Sequence, residues 1–260
     1  MATFEWCSGN LIYLKESQIL KLLNHLKLVL RANKYKNKND KGGISYILNS
    51  INSGDTVLDI GCHKAGYLYF MLKKAGDTGK IYAFEPQNNL FKDLVELKKS
   101  LNWKNVSISN IALSDKKEKI VLHIPIKGSK TDSPGASLLN VFDENQAILD
   151  QETETNTIDD YCKLHQLTPD FLKIDVEGNE LEVLKGGLNI LKTLKPKILI
   201  ESEERHVGQA KVKEVFELLK NLGYQGRFIK DEDYIPLAEF NFEKHQKINQ
   251  KPYCNNFIFE

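Results

Sequence analysis

The 260-residue sequence predicts an α/β fold, a Rossmann-like, mostly parallel seven-stranded sheet with helices on both faces and an N-terminal helical extension. Three observations predict it. From residue 42 onward, short apolar runs of strand length alternate with stretches of helical period, the pattern of a parallel sheet buried between two helical layers. The first run ends in a glycine-bearing turn, Asp59-Ile60-Gly61, directly before a helical pattern, the place where open parallel sheets bind ligands. Finally, the chain is long enough to bury a core unaided. Its four cysteines, Cys7, Cys62, Cys162 and Cys254, form no C-x-x-C pair that would signal a zinc site or a disulfide framework, so reduced thiols in a cytoplasmic protein are expected.

Residues 11–30 carry Leu11, Leu14, Ile19, Leu22, Leu23, Leu26 and Leu30 at helical spacing. Residues 31–41, rich in lysine and asparagine, read as a loop. Residues 1–41 therefore form the helical extension, packed on the main domain or on a second subunit, the latter a route to a homo-oligomer. Glu16, Asn24 and Lys27 break up any strongly basic face of the kind that binds membrane surfaces.

The main domain, residues 42–260, is expected to run as strand 56–60, helix 66–75, strand 80–84, helix 90–101 and strand 106–109. An inserted extended piece at 119–124 leads into a long polar loop, 126–151, holding Gly128, Pro134 and Gly135; loops of that length inside a domain commonly carry function. Helix 158–165, strand 171–175, helix 180–191, strand 197–201, helix 210–222 and strands near 225–229 and 256–259 complete it.

Lysine plus arginine total 36 against 35 acidic residues, so no global field recruits nucleic acid or an acidic membrane, and no nucleic-acid partner is expected. No apolar stretch reaches transmembrane length, and the first residues, with Glu5, do not read as a signal peptide. Asn105-Val106-Ser107 matches a glycosylation acceptor but falls inside an expected strand.

The turn after the first strand narrows the ligand. Gly61 permits a sharp bend, and small Ala65 and Gly66 let helix and strand approach. A dinucleotide site needs glycine at the second position of G-x-G-x-x-G, where this chain has His63, whose side chain fills the space a pyrophosphate would use. S-adenosylmethionine has no phosphate to place there. Glu85, ending the second strand, is positioned to accept hydrogen bonds from two ribose hydroxyls, and Asp59 to face the cationic end of the cofactor. Asn110-Ile111-Ala112, after the third strand, is placed to line an adenine pocket, though Ile111 and Ala112 fit the core equally well.

These residues resemble a known family. Val57-Leu58-Asp59-Ile60-Gly61-Cys62-His63-Lys64-Ala65-Gly66-Tyr67, Tyr82-Ala83-Phe84-Glu85-Pro86-Gln87 and, most specifically, Phe171-Leu172-Lys173-Ile174-Asp175-Val176-Glu177-Gly178-Asn179-Glu180-Leu181-Glu182-Val183-Leu184-Lys185-Gly186-Gly187 resemble the FkbM-type methyltransferases over roughly residues 42–260. The resemblance implies S-adenosylmethionine as donor and O-methylation of a small-molecule or carbohydrate hydroxyl. The cofactor set expected is Asp59, Gly61, His63, Ala65, Gly66, Tyr67, Glu85, Pro86, Asn110, Ala112 and Asp175. Ala65 stands where that family commonly has glycine, and Asn179 where histidine is frequent.

On the acceptor side, Asp175 and Glu177 follow the fourth expected strand, while Glu201 ends the fifth, with Glu203, Glu204, Arg205 and His206 after it. Asp175, Glu177, Glu201 and His206 are the candidate catalytic residues. A carboxylate there can orient the cofactor's amino group, take the hydroxyl proton or hold a divalent metal, and the sequence leaves the three open. N-methylation and cofactor binding without catalysis are the alternative readings.

Overall fold

The structure, a computed structural model, describes residues 16–126, 135–139, 142, 146–249 and 251–260. Cys7, Leu11, Leu14, Gly128 and Pro134 lie outside the described residues.

Helix α1 spans Glu16–Lys34 and runs into a π-helical turn, Tyr35–Asn39. The basic stretch expected as a loop therefore continues the helix. Ile19, Leu22, Leu23, Leu26 and Leu30 are exposed, whereas Leu28 and Ala32 are fully buried, so the narrow stripe of Leu28 and Ala32 faces the domain and the leucine-rich face does not. Helix α2, Lys41–Ser50, is capped by Asp40, whose carboxylate accepts from Gly43 N–H at 2.8 Å. Two glycines in its first turn lower its helical signal, yet Gly42 is required there. A β-carbon on it would lie 2.2 Å from Ile229 Cγ2.

The alternation then begins: β1 Thr56–Ile60, α3 Leu68–Ala75, β2 Lys80–Phe84, α4 Asn88–Leu101, β3 Val106–Ser109 and the short β4 Ala112–Leu113. Strand β5, Lys119–Pro125, pairs antiparallel with β6, Ile148–Asn156. Strand β6 starts within the expected loop, at residues 148–151, and continues over residues 152–156, for which the sequence suggested no element. Its residues ILDQETETN bury only Thr153 and Thr155, so there is no apolar alternation to find.

Helix α5, Ile158–His165, leads to β7, Phe171–Ile174. The expected helix 180–191 is two, α6 Glu180–Lys185 and α7 Leu188–Thr193, broken where Gly186 packs so tightly that a β-carbon would sit 2.0 Å from the Ser114 carbonyl oxygen. Then come β8 Lys197–Glu201 and α8 Glu204–Asn221. Helix α8 begins earlier than its apolar period suggests and kinks at Gly208, φ 77°. The chain ends with β9 Gly226–Lys230, β10 Asp233–Pro236, a short 3₁₀ turn, α9 Phe242–His245 and β11 Asn256–Phe259.

The main sheet has eight strands in the order β10-β9-β11-β8-β7-β1-β2-β3, and β4-β6-β5 form a second sheet. The expected seventh-strand count is exceeded by β10, an edge hairpin on β9. From β8 to β3 every pairing is parallel, while β11 wedges antiparallel between β8 and β9. One face packs Leu58, Ile60, Leu172 and Ile174; the other packs Val57, Phe171 and Ile258 with α1, α2 and α3. Because side chains alternate along a strand, Asp59 and Lys173, paired across β1 and β7, share this second face. Among the described residues no helix is long and apolar enough to cross a membrane.

Candidate functional site

Strand order reverses between β1 and β7, since β2 and β3 lie to one side and β7 and β8 to the other. Loops leaving adjacent C-terminal ends diverge there, opening a crevice. The cavity at this point is lined by the ends of β1, β2, β7 and β8, together with Tyr35 and the inserted sheet.

Gly61 sits at φ 80°, a region that penalises any β-carbon, and a β-carbon would lie 1.8 Å from the Asp175 carbonyl oxygen. Its first duty is thus to let the turns after β1 and β7 cross. His63 and Ala65 follow at φ 47° and 62°, which explains why glycine suits position 65. Gly66 makes room for Tyr35, whose ring carbons would be 2.7 Å from an added β-carbon. Tyr35 packs on Tyr67 with ring centroids 5.1 Å apart, and Arg31 donates to the Lys64 carbonyl at 2.5 Å. The N-terminal helix therefore grips this turn from outside.

Glu85 is buried, and its two carboxylate oxygens accept from His63 N–H and Gln87 N–H, each at 2.9 Å. Burial pushes its carboxyl up to about 7 despite these donors. Each oxygen retains a lone pair. Asn110 does not line the cavity; its amide donates to the carbonyls of Glu85 and Pro86 at 3.0 Å and fixes that turn from behind. Pro86 and Ala112 line the cavity beside Phe84 and Ile111. His63 lines it too, with Nε2 buried and unpartnered, and burial lowers its imidazole to about 4.

Asp59 lies beneath the cavity rather than in its lining, fully buried, with neither carboxylate oxygen hydrogen-bonded. Its nearest cation is Lys173, Nζ to Oδ1 3.8 Å. Burial pushes Asp59 up to about 6, against the pull of Lys173. Lys173 donates to the Gly61 carbonyl at 2.9 Å and to Asp175 Oδ2 at 3.1 Å, with the Tyr67 ring 5.0 Å away. Burial would lower its ammonium, but Asp175 and Asp59 hold it above its ordinary value.

At the opposite edge, Glu177 occupies φ 54° and Gly178 φ 108°, turning the chain after β7 so that the Glu177 carboxylate faces His206 Nε2 at 3.2 Å. Ser137 Oγ donates to the Glu177 carbonyl at 2.7 Å, tying down the turn. Burial, reinforced by Asp175 and Glu203, raises Glu177 to about 8, and burial lowers His206. His206 lies behind Glu177, outside the cavity lining. Glu177 does not cap α6, whose N-cap residue Asn179 makes no side-chain cap bond; Glu180 accepts from Gly178 N–H at 2.9 Å and steadies the turn before the helix.

Glu201 lines the cavity and accepts from Asn255 Nδ2 at 2.7 Å. Burial, then the charges of Asp175 and Glu203, hold its carboxyl well above the ordinary range. Burial acts on Glu203 too, but hydrogen bonds from Glu201, Tyr253 and Asn255 and the nearby Arg205 outweigh it and depress Glu203 to about 2. Glu201 is thus the neutral member of the pair.

Asp175, Glu177 and Glu201 line one cavity with Gly61, His63, Gly66, Tyr67, Glu85, Pro86 and Ala112. Asp59, Ala65, Asn110 and His206 stand one layer behind. Sequence reasoning missed Lys173, Tyr35 and the apolar wall of Leu122, Ala136 and Leu138. A lysine inside an otherwise apolar strand was the available signal for Lys173. Among the described residues no group of three or more His, Cys, Asp or Glu could hold a metal ion.

The profile of the Methyltransferase FkbM domain matches residues 59–225. The FkbM methyltransferase of Methylobacillus flagellatus has a similar structure, with TM-score 0.53 and 12% identity over 94% of this chain and 58% of that one; this chain thus spans little more than half of that relative's length. A methyltransferase dependent on S-adenosylmethionine from Aquifex aeolicus (TM-score 0.44, 14% identity, 95% and 98% of the two chains) is also similar. So is Aeropyrum pernix fibrillarin with natively bound S-adenosylmethionine (TM-score 0.46, 11% identity, 81% and 67%). No match to a curated protein sequence was found. The residues fit that cofactor: a buried carboxylate with free lone pairs at the end of β2, and a histidine where a phosphate would need glycine. With the match running from the end of β1 to the residue before β9, the chain belongs to the FkbM methyltransferase family.

Proposed function

We propose that the protein methylates a hydroxyl of a small-molecule or carbohydrate acceptor. The observation that carries this reading is the Glu177 and His206 pair, 3.2 Å apart at the cavity edge. A hydroxyl must lose its proton as it is methylated, and a carboxyl raised to about 8 is matched to taking it near neutral pH. An amine that is already neutral would need no such base.

S-adenosylmethionine supplies a methyl group already activated on a sulfonium, so the remaining tasks are positioning and proton removal. Glu85 and Pro86 hold the ribose end, Ala112 the adenine end, and Asp175 the amino group, with Gly61, His63, Gly66 and Tyr67 shaping the turn and Asp59, Ala65 and Asn110 supporting it. Glu177 takes the acceptor's proton, and His206 orients Glu177 and shares its charge. Glu201, kept neutral by Glu203, hydrogen-bonds the acceptor.

Incubation with methyl-labelled cofactor and paired hydroxyl and amine acceptors tests the reading. Transfer to hydroxyls that is lost in Glu177→Gln supports it; transfer to amines alone, unaffected by that substitution, overturns it. The exposed leucine face of α1 suits a second copy of the chain, and Leu26→Glu should then reduce the mass found by light scattering. The buried thiols Cys62, Cys162 and Cys254 suit a cytoplasmic setting.

A further inference from the structure

Lys173 is a buried ammonium at the crossing of the two turns that frame the cavity. It bonds the Gly61 carbonyl at the end of β1 and the Asp175 carboxylate at the end of β7. Below it lies Asp59, buried and unbonded at 3.8 Å. Tyr67 closes one side with its ring face, while the carboxyls of Glu201 and Glu85 and the Tyr35 hydroxyl lie farther off within the same field. Lys173 pairs with Asp59 at 3.8 Å, but its closer contacts, hydrogen bonds of 2.9 and 3.1 Å, go to the Gly61 carbonyl and the Asp175 carboxylate, both of which line the cavity.

The geometry points to Lys173 as a positioning residue for the cofactor: it clamps Asp175 against the Gly61 turn so that this carboxylate meets the cofactor's amino group, and Asp59 anchors the lysine electrostatically from beneath. The inference rests on the proposed contact between Asp175 and the cofactor. It gives Asp59 an indirect role, since Asp59 does not reach the cavity. It also explains the lysine two residues before Asp175: on a strand, that spacing puts both side chains on one face.

Lys173→Met alone strands Asp59 as a buried, unpaired charge, which destabilises the fold whatever the lysine does. The deciding variant is Asp59→Asn with Lys173→Met, which removes both charges together. Two measurements are made on wild type and on this double variant: the thermal midpoint without ligand, and the affinity for S-adenosylmethionine and S-adenosylhomocysteine by calorimetry. The expected result is a midpoint close to wild type with affinity weakened at least about tenfold, as for a lost hydrogen bond to a charged group. Adding Asp175→Asn should weaken binding little further, because one route has already been cut. Recovery of both stability and affinity in the double variant would make Lys173 a mere counter-ion and overturn the inference. If the double variant unfolds, Lys173→Arg replaces it, which keeps the charge but misplaces the donors; undiminished affinity there overturns the inference equally. Wild-type affinity in Asp175→Asn alone would instead remove the Asp175 contact on which the inference stands.

Discussion

His206 Nε2 lies 3.2 Å from the Glu177 carboxylate, with burial raising the carboxyl to about 8 and lowering the imidazole. The pair holds one proton near neutrality and must lose it to act as a base. Turnover at saturating cofactor should therefore climb with pH and level off above about 8. Glu177→Gln should cut kcat by two orders of magnitude or more, in line with the usual contribution of a general base, while calorimetric cofactor affinity changes little. A flat pH profile would place proton removal elsewhere.

Glu85 gives a pH dependence of another kind. Its folded-state value of about 7 exceeds the ordinary value of 4.5, so between the two the folded chain holds more protons than the unfolded chain. The stability this carboxyl contributes is complete below about 4.5 and is lost as pH rises through 7. Ribose hydroxyls favour the ionised form, so cofactor affinity should rise with pH over the same window. Glu85→Gln should flatten the stability change in thermal melts and weaken cofactor binding by about 2 kcal/mol.

Ala65 at φ 62° adopts a left-handed conformation that costs a β-carbon-bearing residue about 1–2 kcal/mol. Ala65→Gly should stabilise the protein by up to about 1 kcal/mol, glycine's greater unfolded freedom offsetting the remainder. Gly61→Ala should have the opposite effect, because the new methyl would lie 1.8 Å from the Asp175 carbonyl oxygen. Chemical denaturation distinguishes the two.

Gly66 has no strained φ, so Gly66→Ala is a purely steric probe of Tyr35, whose ring carbons would be 2.7 Å from the new methyl. The ring must move, at a cost of about 1–3 kcal/mol. Removing the ring as well, by Tyr35→Ala, should bring the two changes together less than additively in denaturation curves.

Strands buried on both faces were the most legible part of the sequence. β1, β2 and β8 occupy the expected residues, because largely apolar runs leave little choice; β3, an edge strand that buries only Val106, also falls where expected. Polar β6 and glycine-rich α2 were hidden because their signals are capping, pairing and close packing. Within the site, the residues that line the cavity came from turns with recognisable chemistry. Lys173 and Tyr35 escaped because their place depends on contacts made far away in sequence, Tyr35 on the turn at Gly66 and Lys173 on Asp59 and Gly61. Asn110 was expected in the pocket but serves the turn behind it, a distinction of one layer that strand order alone does not make.

The grip of α1 on the turn at residues 64–66 makes helix docking and cofactor binding thermodynamically reciprocal. If a docked Tyr35 tightens the hold on cofactor, then bound cofactor must tighten the hold on Tyr35 by the same factor. Anything that competes for the exposed face of this helix and draws it away would be felt as lost cofactor affinity. Amide exchange along residues 16–39 should accordingly slow when the cofactor binds, even though most of that helix lies outside the cavity.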